Sequence, residues 1–158
     1  MGSDAHGDLV YGVPLGGSDE GWLLTGPKDK WGDVSLEPEH LPWLTPEQAE
    51  GWDHFSYSEV LELGLRHLDT VMFSLTDQPL SAGLEVHQHG YELRSFALAL
   101  KKPQFGASWG DATDVDWLAL SEVAGDTRIT VQFRRVLQEL NLEPVNPQPR
   151  WFLTAHYF

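Results

Sequence analysis

The chain of 158 residues contains no cysteine, only ten lysines and arginines, and no long run of apolar residues. The absence of cysteine excludes disulfides and zinc–thiolate sites, and it fits a reducing compartment. No apolar run approaches the roughly 18 residues of a membrane span. The opening MGSDAHGDL also lacks the basic region and apolar stretch of a secretory signal. We therefore expect a cytoplasmic protein that does not contact a membrane.

Basic residues are scarce enough to leave a strong negative charge. The formal net charge is -14, which argues against direct binding to nucleic acid or to anionic lipid. Residues 1–62 hold 13 acidic residues and two lysines, whereas residues 63–158 hold 11 acidic and eight basic residues. The first part therefore carries -11 of the net charge and the second part -3. This asymmetry predicts one strongly acidic surface.

The chain does contain ample core material, with 41% apolar residues, seven tryptophans and seven phenylalanines. Apolar runs bounded by glycine, proline and turn residues predict strands at residues 9–15, 21–27, 70–76, 84–90, 91–101 and 151–158. Capping residues and helical spacing predict helices at residues 46–50, 57–68, 114–124 and 126–141. We therefore expect one α+β domain over residues 1–158. It has an antiparallel or mixed sheet of about five or six strands, two main helices packed on it, and an acidic loop-rich segment at about 27–55.

Several local features follow from residue type. Thr45 with Gln48, and Ser56 with Glu59, match the capping box at a helix start. The first two strands are expected to form a hairpin, and the strand at 91–101 is expected to carry a bulge near Ser95. The prolines of EPVNPQP are expected to prevent regular structure there. The final strand is apolar on both faces, which indicates a place inside the sheet.

Two Trp-Gly-Asp triplets occur, at residues 31–33 and 109–111. We interpret each as a turn in which tryptophan packs inward, glycine takes an unusual conformation and aspartate bonds the backbone. The alternative is a pair of acids, Asp33 and Asp111. The similar stretches WLLT and WFLT fit two core strands, because the order of the motifs is not that of a tandem duplication.

The second half of the chain carries a recognisable pattern. The second WGD triplet is followed by an acidic stretch, a helix from Asp126, the segment LNLEPVNPQPRWFL and an aromatic end. Over roughly residues 105–158, together with YGVPL at 11–15, the chain resembles small uncharacterised proteins encoded by phages of actinobacteria. The resemblance implies a phage gene product acting in a bacterial cytoplasm. It implies no activity.

The segment EVHQH is the main candidate for metal chemistry. Glu85, His87 and His89 alternate onto one face of a strand, and neighbouring pairs lie about 7 Å apart at their Cα atoms. A metal-dependent hydrolase using His87 and His89 would need a third ligand from elsewhere, such as His156, His67 or His54. The alternative is the solvent-facing side of an amphipathic strand, with Leu84 and Val86 inward. The sequence by itself indicates no cofactor.

Other sequence signatures of catalysis do not fit. A two-histidine phosphodiesterase would need two His-x-Thr or His-x-Ser strands, and His54 with Ser56 lies at a helix start instead. A Gly-x-Ser-x-Gly motif, a P-loop and a dinucleotide fingerprint do not occur. A binding protein for a small anionic nucleotide or signal is an alternative, with a pocket lined by Arg94, Arg128 or Arg135. A virion component is another alternative.

The acidic first part gives the leading functional hypothesis. Carboxylates surround tryptophans there, and mixed acidic and aromatic surface suits docking on the basic surface of another protein. We expect a non-catalytic phage accessory protein that binds a host factor for counter-defence or host takeover, or as a nucleic-acid mimic. The predicted contact residues are Trp31, Asp33, Glu37, Glu39, Trp43, Glu47, Glu50 and Trp52.

Overall fold

The computed structural model describes residues 4–17, 21–35, 37–90 and 94–157. Its α-helices are α1 (Pro46–Glu50), α2 (Tyr57–Leu68), α3 (Trp117–Gly125) and α4 (Thr127–Glu139), and turns of 3-10 helix lie at Pro38–His40 and Trp52–His54. Its strands are β1 (Ala5–Gly17), β2 (Gly21–Trp22), β3 (Leu24–Thr25), β4 (Met72–Phe73), β5 (Gln78–Pro79), β6 (Leu84–Gly90), β7 (Arg94–Leu100), β8 (Phe105–Ser108), β9 (Glu143–Pro144) and β10 (Arg150–Tyr157). The expected α+β fold class is confirmed.

Four strands of the main sheet form a closed circuit of pairings. The first half of β1 pairs antiparallel with β10, and its second half pairs antiparallel with β7. β7 pairs antiparallel with β6. Among the described residues, β6 then meets β10 through a single parallel bridge, between Gly90 and His156. The sheet is therefore mixed, and it curls until β10 returns to β6.

A bulge in β1 accompanies this curvature. The register of β1 with β7 shifts between Pro14 and Gly16, so Leu15 is the additional residue. Gly16 has a φ of 74°, a conformation that favours glycine. The bulge expected near Ser95 was wrong, since β6 and β7 pair in unbroken register along their whole length.

Helices α2 and α4 supply the apolar layer over one face of the sheet. The capping box at Ser56 begins α2, and the Asp126 carboxylate accepts from the Arg128 amide at the start of α4. The box at Thr45 is also present and begins α1. One core cluster joins both helices to β1 and β7, with helix residues Val60, Leu61, Leu65, Leu68, Phe133, Val136, Leu137 and Leu140. The expected pair of main helices is confirmed.

Three smaller elements differ from expectation. The hairpin of the first two strands forms only at β2, because β3 leaves the sheet and pairs with β9; its turn, 18–20, lies outside the described residues. The expectation that the prolines of EPVNPQP prevent regular structure was wrong at β9, which pairs with β3. The amide that follows β9, that of Val145, donates to the Leu23 carbonyl at 2.8 Å. The strand expected at 70–76 shortens to β4, which pairs with β5.

The C-terminal strand is paired on both sides, as expected, but Leu153 is 78% exposed and Trp151 and Phe152 are only half-buried, so its apolar faces are not the buried faces expected. Every residue of β10 is paired with β1. Trp151 packs against the core cluster, and its indole N–H donates to the carbonyl of Leu120 in α3 at 3.0 Å. Within the described ranges, none of the helices combines the length and hydropathy needed to cross a membrane.

Candidate functional site

The sheet face opposite the helices carries small and polar side chains. Alternation along β7 points Phe96 and Leu98 into the helix-covered core, and it places Ser95, Ala97 and Ala99 on the other face. All three are fully buried. The burial follows from the curled sheet, whose closed circuit encloses this inner face.

A histidine cluster lies on the inner face, where three strands each contribute two residues spaced by two. β1 provides His6 and Asp8, β6 provides His87 and His89, and β10 provides Thr154 and His156. A spacing of two keeps each pair on one face of its strand. The histidine cluster is thus assembled from the beginning, the middle and the end of the chain.

Asp8 is the anionic centre of the histidine cluster. Its Oδ1 lies 2.8 Å from His6 Nε2, and its Oδ2 lies 3.1 Å from His156 Nε2. Each carboxylate oxygen therefore faces one imidazole. The side chains of Asp8 and His156 are each only 19% exposed, so these contacts are shielded from solvent more than a surface ion pair would be.

His87 connects β6 to the same centre. Its Nε2 lies 3.0 Å from Thr154 Oγ1, and the Thr154 hydroxyl donates to the Asp8 backbone carbonyl at 3.3 Å. Its ring stacks on His89 at 5.8 Å and meets His156 edge to face at 5.4 Å. His87 and His89 are 8% and 9% exposed. The solvent-facing alternative for this strand was therefore wrong, because β10 closes over the face that an open sheet would expose.

The environment of His87 favours its neutral form. Burial lowers the pKa of His87 below its ordinary value of 6.5, and the nearby His156 and His89 lower it further. Asp8 and Glu85 raise the pKa of His87 without cancelling these effects. A neutral imidazole keeps a ring nitrogen that can accept a hydrogen bond or bind a metal ion.

Three members of the histidine cluster bring possible metal-ligand atoms close together. One ligand atom each from Asp8, His87 and His156 lies within 4.8 Å of the other two. Of the third ligands considered from sequence, the structure brings His156 to His87, while His54 and His67 are exposed. Sequence reasoning missed Asp8, although the His-x-Asp spacing at the start of β1 was a signal for it.

A second candidate site, which we call the acidic groove, lies in the acidic first part of the chain. It encloses about 640 Å³ between the loop that follows β3 and the start of α2. Its aromatic lining residues are Trp31, Trp52, Phe55 and Tyr57. Its acidic lining residues are Asp29, Glu37 and Asp53. Within the part of the chain that the structure describes, Lys30 is the basic residue that lines the acidic groove.

The wall of the acidic groove is a tight turn held by Asp29. Its Oδ1 accepts from the amides of Trp31 at 2.8 Å and Asp33 at 3.0 Å. Gly32 within the turn has a φ of 87°. Trp31 projects from the turn with 79% of its surface exposed, and Lys30 Nζ lies 5.1 Å from its ring centroid.

Three of the predicted docking residues, Trp31, Glu37 and Trp52, line the acidic groove. Asp33 instead accepts a hydrogen bond from Trp22 Nε1 at 3.1 Å. Three further glutamates lie outside its lining and are exposed: Glu39, Glu47 and Glu50. The prediction for Trp43 was wrong, because this residue is 6% exposed and its indole donates to the Leu140 carbonyl at 3.2 Å.

The two WGD triplets are turns, as interpreted, but their tryptophans do not pack inward, and the Asp33 carboxylate accepts from the Trp22 indole rather than from the backbone. Gly32 and Gly110 both have positive φ, at 87° and 84°. Trp31 and Trp109 are 79% and 85% exposed. In each triplet the turn is closed by backbone hydrogen bonds and, at residues 29–33, by Asp29, so the tryptophan is free to project.

The three arginines of the alternative ligand pocket do not share a cavity. Arg128 pairs with Asp126 at 3.1 Å, and Arg135 lies 3.9 Å from Glu139 along the same helix. Arg94 is exposed at the start of β7. Among the main cavities of the described residues, none is lined by any of the three.

No family model matches the chain, and comparisons with curated proteins and with solved structures give no match either. The chemistry of the two sites themselves therefore has to indicate the function. The acidic groove is open and accessible to another molecule. The histidine cluster is largely shielded from solvent, although His6 is one-third exposed and lines a surface cavity.

Proposed function

We propose that the protein is a non-catalytic binding protein that takes a lysine- or arginine-rich segment of a partner protein into the acidic groove. The composition of the groove carries this proposal: three carboxylates and four aromatic rings line about 640 Å³. Carboxylates attract cationic heads, and aromatic rings bind both the cations and their aliphatic stems. Together these groups suit long basic side chains.

The contact between Lys30 and Trp31 supports the chemistry. The ammonium lies 5.1 Å from the ring centroid, within the roughly 6 Å over which an aromatic face attracts a cation. Lys30 is itself exposed, so its contact with the ring is weak. A lysine or arginine of the partner can therefore replace Lys30 on the Trp31 ring at little cost.

The charge of the surrounding segment supports the same partner class. Residues 1–62 carry a net charge of -11, which repels nucleic acid and attracts a basic protein surface. Such a field raises the rate of encounter with an oppositely charged partner. The resemblance to proteins of actinobacterial phages makes a host factor the partner we propose, with counter-defence or host takeover as the role.

Affinity purification from a lysate of an actinobacterial host tests the proposal with three baits. The first is the wild type. The second carries Glu37→Lys and Asp53→Lys inside the acidic groove, and the third carries Glu47→Lys and Glu50→Lys on α1. Both variants change the net charge by the same amount. We expect a basic partner that the wild type and the α1 variant retain and that the groove variant loses.

A second variant separates the aromatic contribution. Trp31→Ala leaves the net charge unchanged but removes the most exposed ring of the groove, so we expect affinity for the same partner to fall about tenfold. A partner retained equally by the groove variant, the Trp31→Ala variant and the wild type would contradict the proposal.

A further inference from the structure

We infer that Asp8, His87 and His156 form a binding site for one divalent transition-metal ion, and that this ion stabilises the closed circuit of strands by linking β1, β6 and β10. The inference concerns the histidine cluster and is independent of the proposed function of the acidic groove. Each ligand comes from a different strand of the circuit, namely β1, β6 and β10.

The ligand set has the chemistry of such a site. Two imidazoles and one carboxylate are ligands of zinc and related divalent ions, with bonds of about 2.0–2.2 Å. Tetrahedral coordination at that length places ligand atoms about 3.3–3.6 Å apart. The three ligand atoms already lie within 4.8 Å of one another. Coordination at that length draws the three side chains closer together, and binding through His87 Nε2 replaces its contact with Thr154 Oγ1.

Neighbouring groups orient these ligands. His6 Nε2 holds Asp8 Oδ1 at 2.8 Å, which leaves Oδ2 on the side of His156. Glu85 Oε1 lies 4.0 Å from His87 Nδ1 and accepts a hydrogen bond from Gln104 at 2.6 Å, so Glu85 lies near the His87 ring without bonding to it. The contact of His6 with Asp8 is of the kind that supports metal ligands in proteins.

The place of the site in the fold indicates a structural role. β10 pairs with β1 along its whole length, but it meets β6 through a single backbone bridge among the described residues. An ion held by Asp8, His87 and His156 would add bonds across that seam. The main cavities of the described chain are not lined by any of the three ligands. His87 is buried, and Asp8 and His156 are each 19% exposed; a site so shielded suits a structural ion.

A second group of possible ligands provides an internal control. Glu37, Glu39 and His40 also bring three ligand atoms within 4.8 Å of one another, but Glu39 is exposed and the group lies in the acidic segment. His40→Gln disables this group and leaves the histidine cluster intact. The two sites can therefore be distinguished by substitution.

Zinc alone, added to the full chain after removal of metals with a chelator, tests the inference. We expect one equivalent of Zn²⁺ per chain by calorimetry and elemental analysis, and Co²⁺ to give the visible absorption of a four- or five-coordinate site. His87→Gln and His156→Ala should each weaken Zn²⁺ binding at least about 100-fold, whereas His40→Gln should leave it unchanged. Zinc should also slow amide exchange in β10 of the wild type.

Asp8→Asn tests the site with a variant that keeps the size of the side chain and removes its charge. It serves where the histidine variants do not fold. It should fold and lose zinc affinity about tenfold or more. Three results would overturn the inference: a wild-type chain that takes up no zinc, zinc binding that survives His87→Gln and His156→Ala, or zinc binding that disappears with His40→Gln.

Discussion

The acidic groove and the histidine cluster place their carboxylates in different environments. The acidic groove places three carboxylates along an open cavity, where water screens their mutual repulsion. The histidine cluster partly shields one carboxylate, that of Asp8, and gives each of its oxygens an imidazole within about 3 Å. The carboxylates of the acidic groove thus line an open cavity, whereas the Asp8 carboxylate is largely shielded and contacts imidazoles of β1 and β10.

The two regions also differ in how the chain builds them. The acidic groove uses residues 29–60, which are close in sequence and lie in turns and short helices. The histidine cluster joins residues far apart in sequence, such as Thr154 and Asp8. Damage to the acidic groove should therefore stay local, whereas damage to the strands of the histidine cluster should reach the whole fold.

Deletion of residues 151–158 should have the largest effect. It removes nearly all of β10, one side of the histidine cluster and the packing of Trp151. The loss should exceed the roughly 5–15 kcal/mol that stabilises a domain, so cooperative unfolding should disappear. Thermal denaturation followed by circular dichroism measures this.

The matched change in the acidic groove replaces residues 30–32 by Gly-Ser-Gly and keeps Asp29 and Asp33. We expect a single sharp unfolding transition and a loss of about 1 kcal/mol or less, since this turn is exposed. A truncated chain that still unfolds in one sharp transition would show that β10 is not essential to the core.

Two tryptophans of the acidic segment sharpen the comparison at the level of single residues. Trp43→Ala should lower the free energy of unfolding by about 3–5 kcal/mol. Its buried ring lies against Gly64 of α2, and its indole donates to the Leu140 carbonyl directly after α4. Trp31→Ala should change the free energy of unfolding by about 0.5 kcal/mol or less, since that ring is exposed. Urea denaturation of both variants measures the difference, and equal losses would contradict the assigned burial.

Local signals in the sequence predicted the elements well, because caps and periodicity act within a few residues. The box at Ser56 and the cap at Asp126 began α2 and α4 as expected. The bulge was misplaced because it depends on pairing between β1 and β7, which are distant in sequence. The pairing of β3 with β9 was missed for the same reason.

The two sites were predictable to different degrees. The acidic groove could be located from charge density. Trp43 was grouped with Trp31 by the charge of the whole segment, although its neighbours Leu41 and Leu44 are apolar. The histidine cluster was visible only in part: His87 and His89 were candidates and His156 was one of three possible partners, but Asp8 was missed because β1 and β6 are distant in sequence. Burial of these imidazoles follows from the closure of the sheet, which no local pattern encodes.

The pH dependence of stability should distinguish the buried site from the exposed one. The pKa of His87 is lowered in the folded protein by burial, His156 and His89, against opposing effects of Asp8 and Glu85. As the pH falls below about 6.5, the unfolded chain binds a proton at His87 that the folded chain resists. The free energy of unfolding should therefore decrease between about pH 6.5 and the lower folded pKa.

Urea denaturation in the presence of a chelator, at pH 7.5 and at pH 5.5, measures this loss. His87→Gln should reduce the difference between the two pH values, whereas His54→Gln, at an exposed position, should not. An unchanged difference in the His87→Gln variant would mean that other groups control the acid sensitivity.

The smallest effect on stability, and the clearest effect on binding, should come from charge reversal in the acidic groove. Glu37→Lys with Asp53→Lys should change the free energy of unfolding by about 0.5 kcal/mol or less, because Asp53 is exposed, Glu37 is half-buried, and charges near the surface contribute little. The same variant should slow association with a basic partner several-fold at 50 mM salt, because it weakens the field that steers encounter. Stopped-flow measurements against a partner identified by purification give the on-rate.

Salt and two controls decide whether the acidic groove itself is responsible. Between 50 and 300 mM salt the Debye length falls from about 14 to about 6 Å, so the wild-type on-rate should decrease markedly and approach that of the groove variant. Glu47→Lys with Glu50→Lys alters the net charge equally but lies outside the groove lining, and Arg134→Glu lies on α4; both should retain most of the wild-type on-rate. If the α1 variant slows association as much as the groove variant, net charge rather than the groove steers the partner. If the on-rate does not depend on salt, electrostatic docking at this surface is excluded.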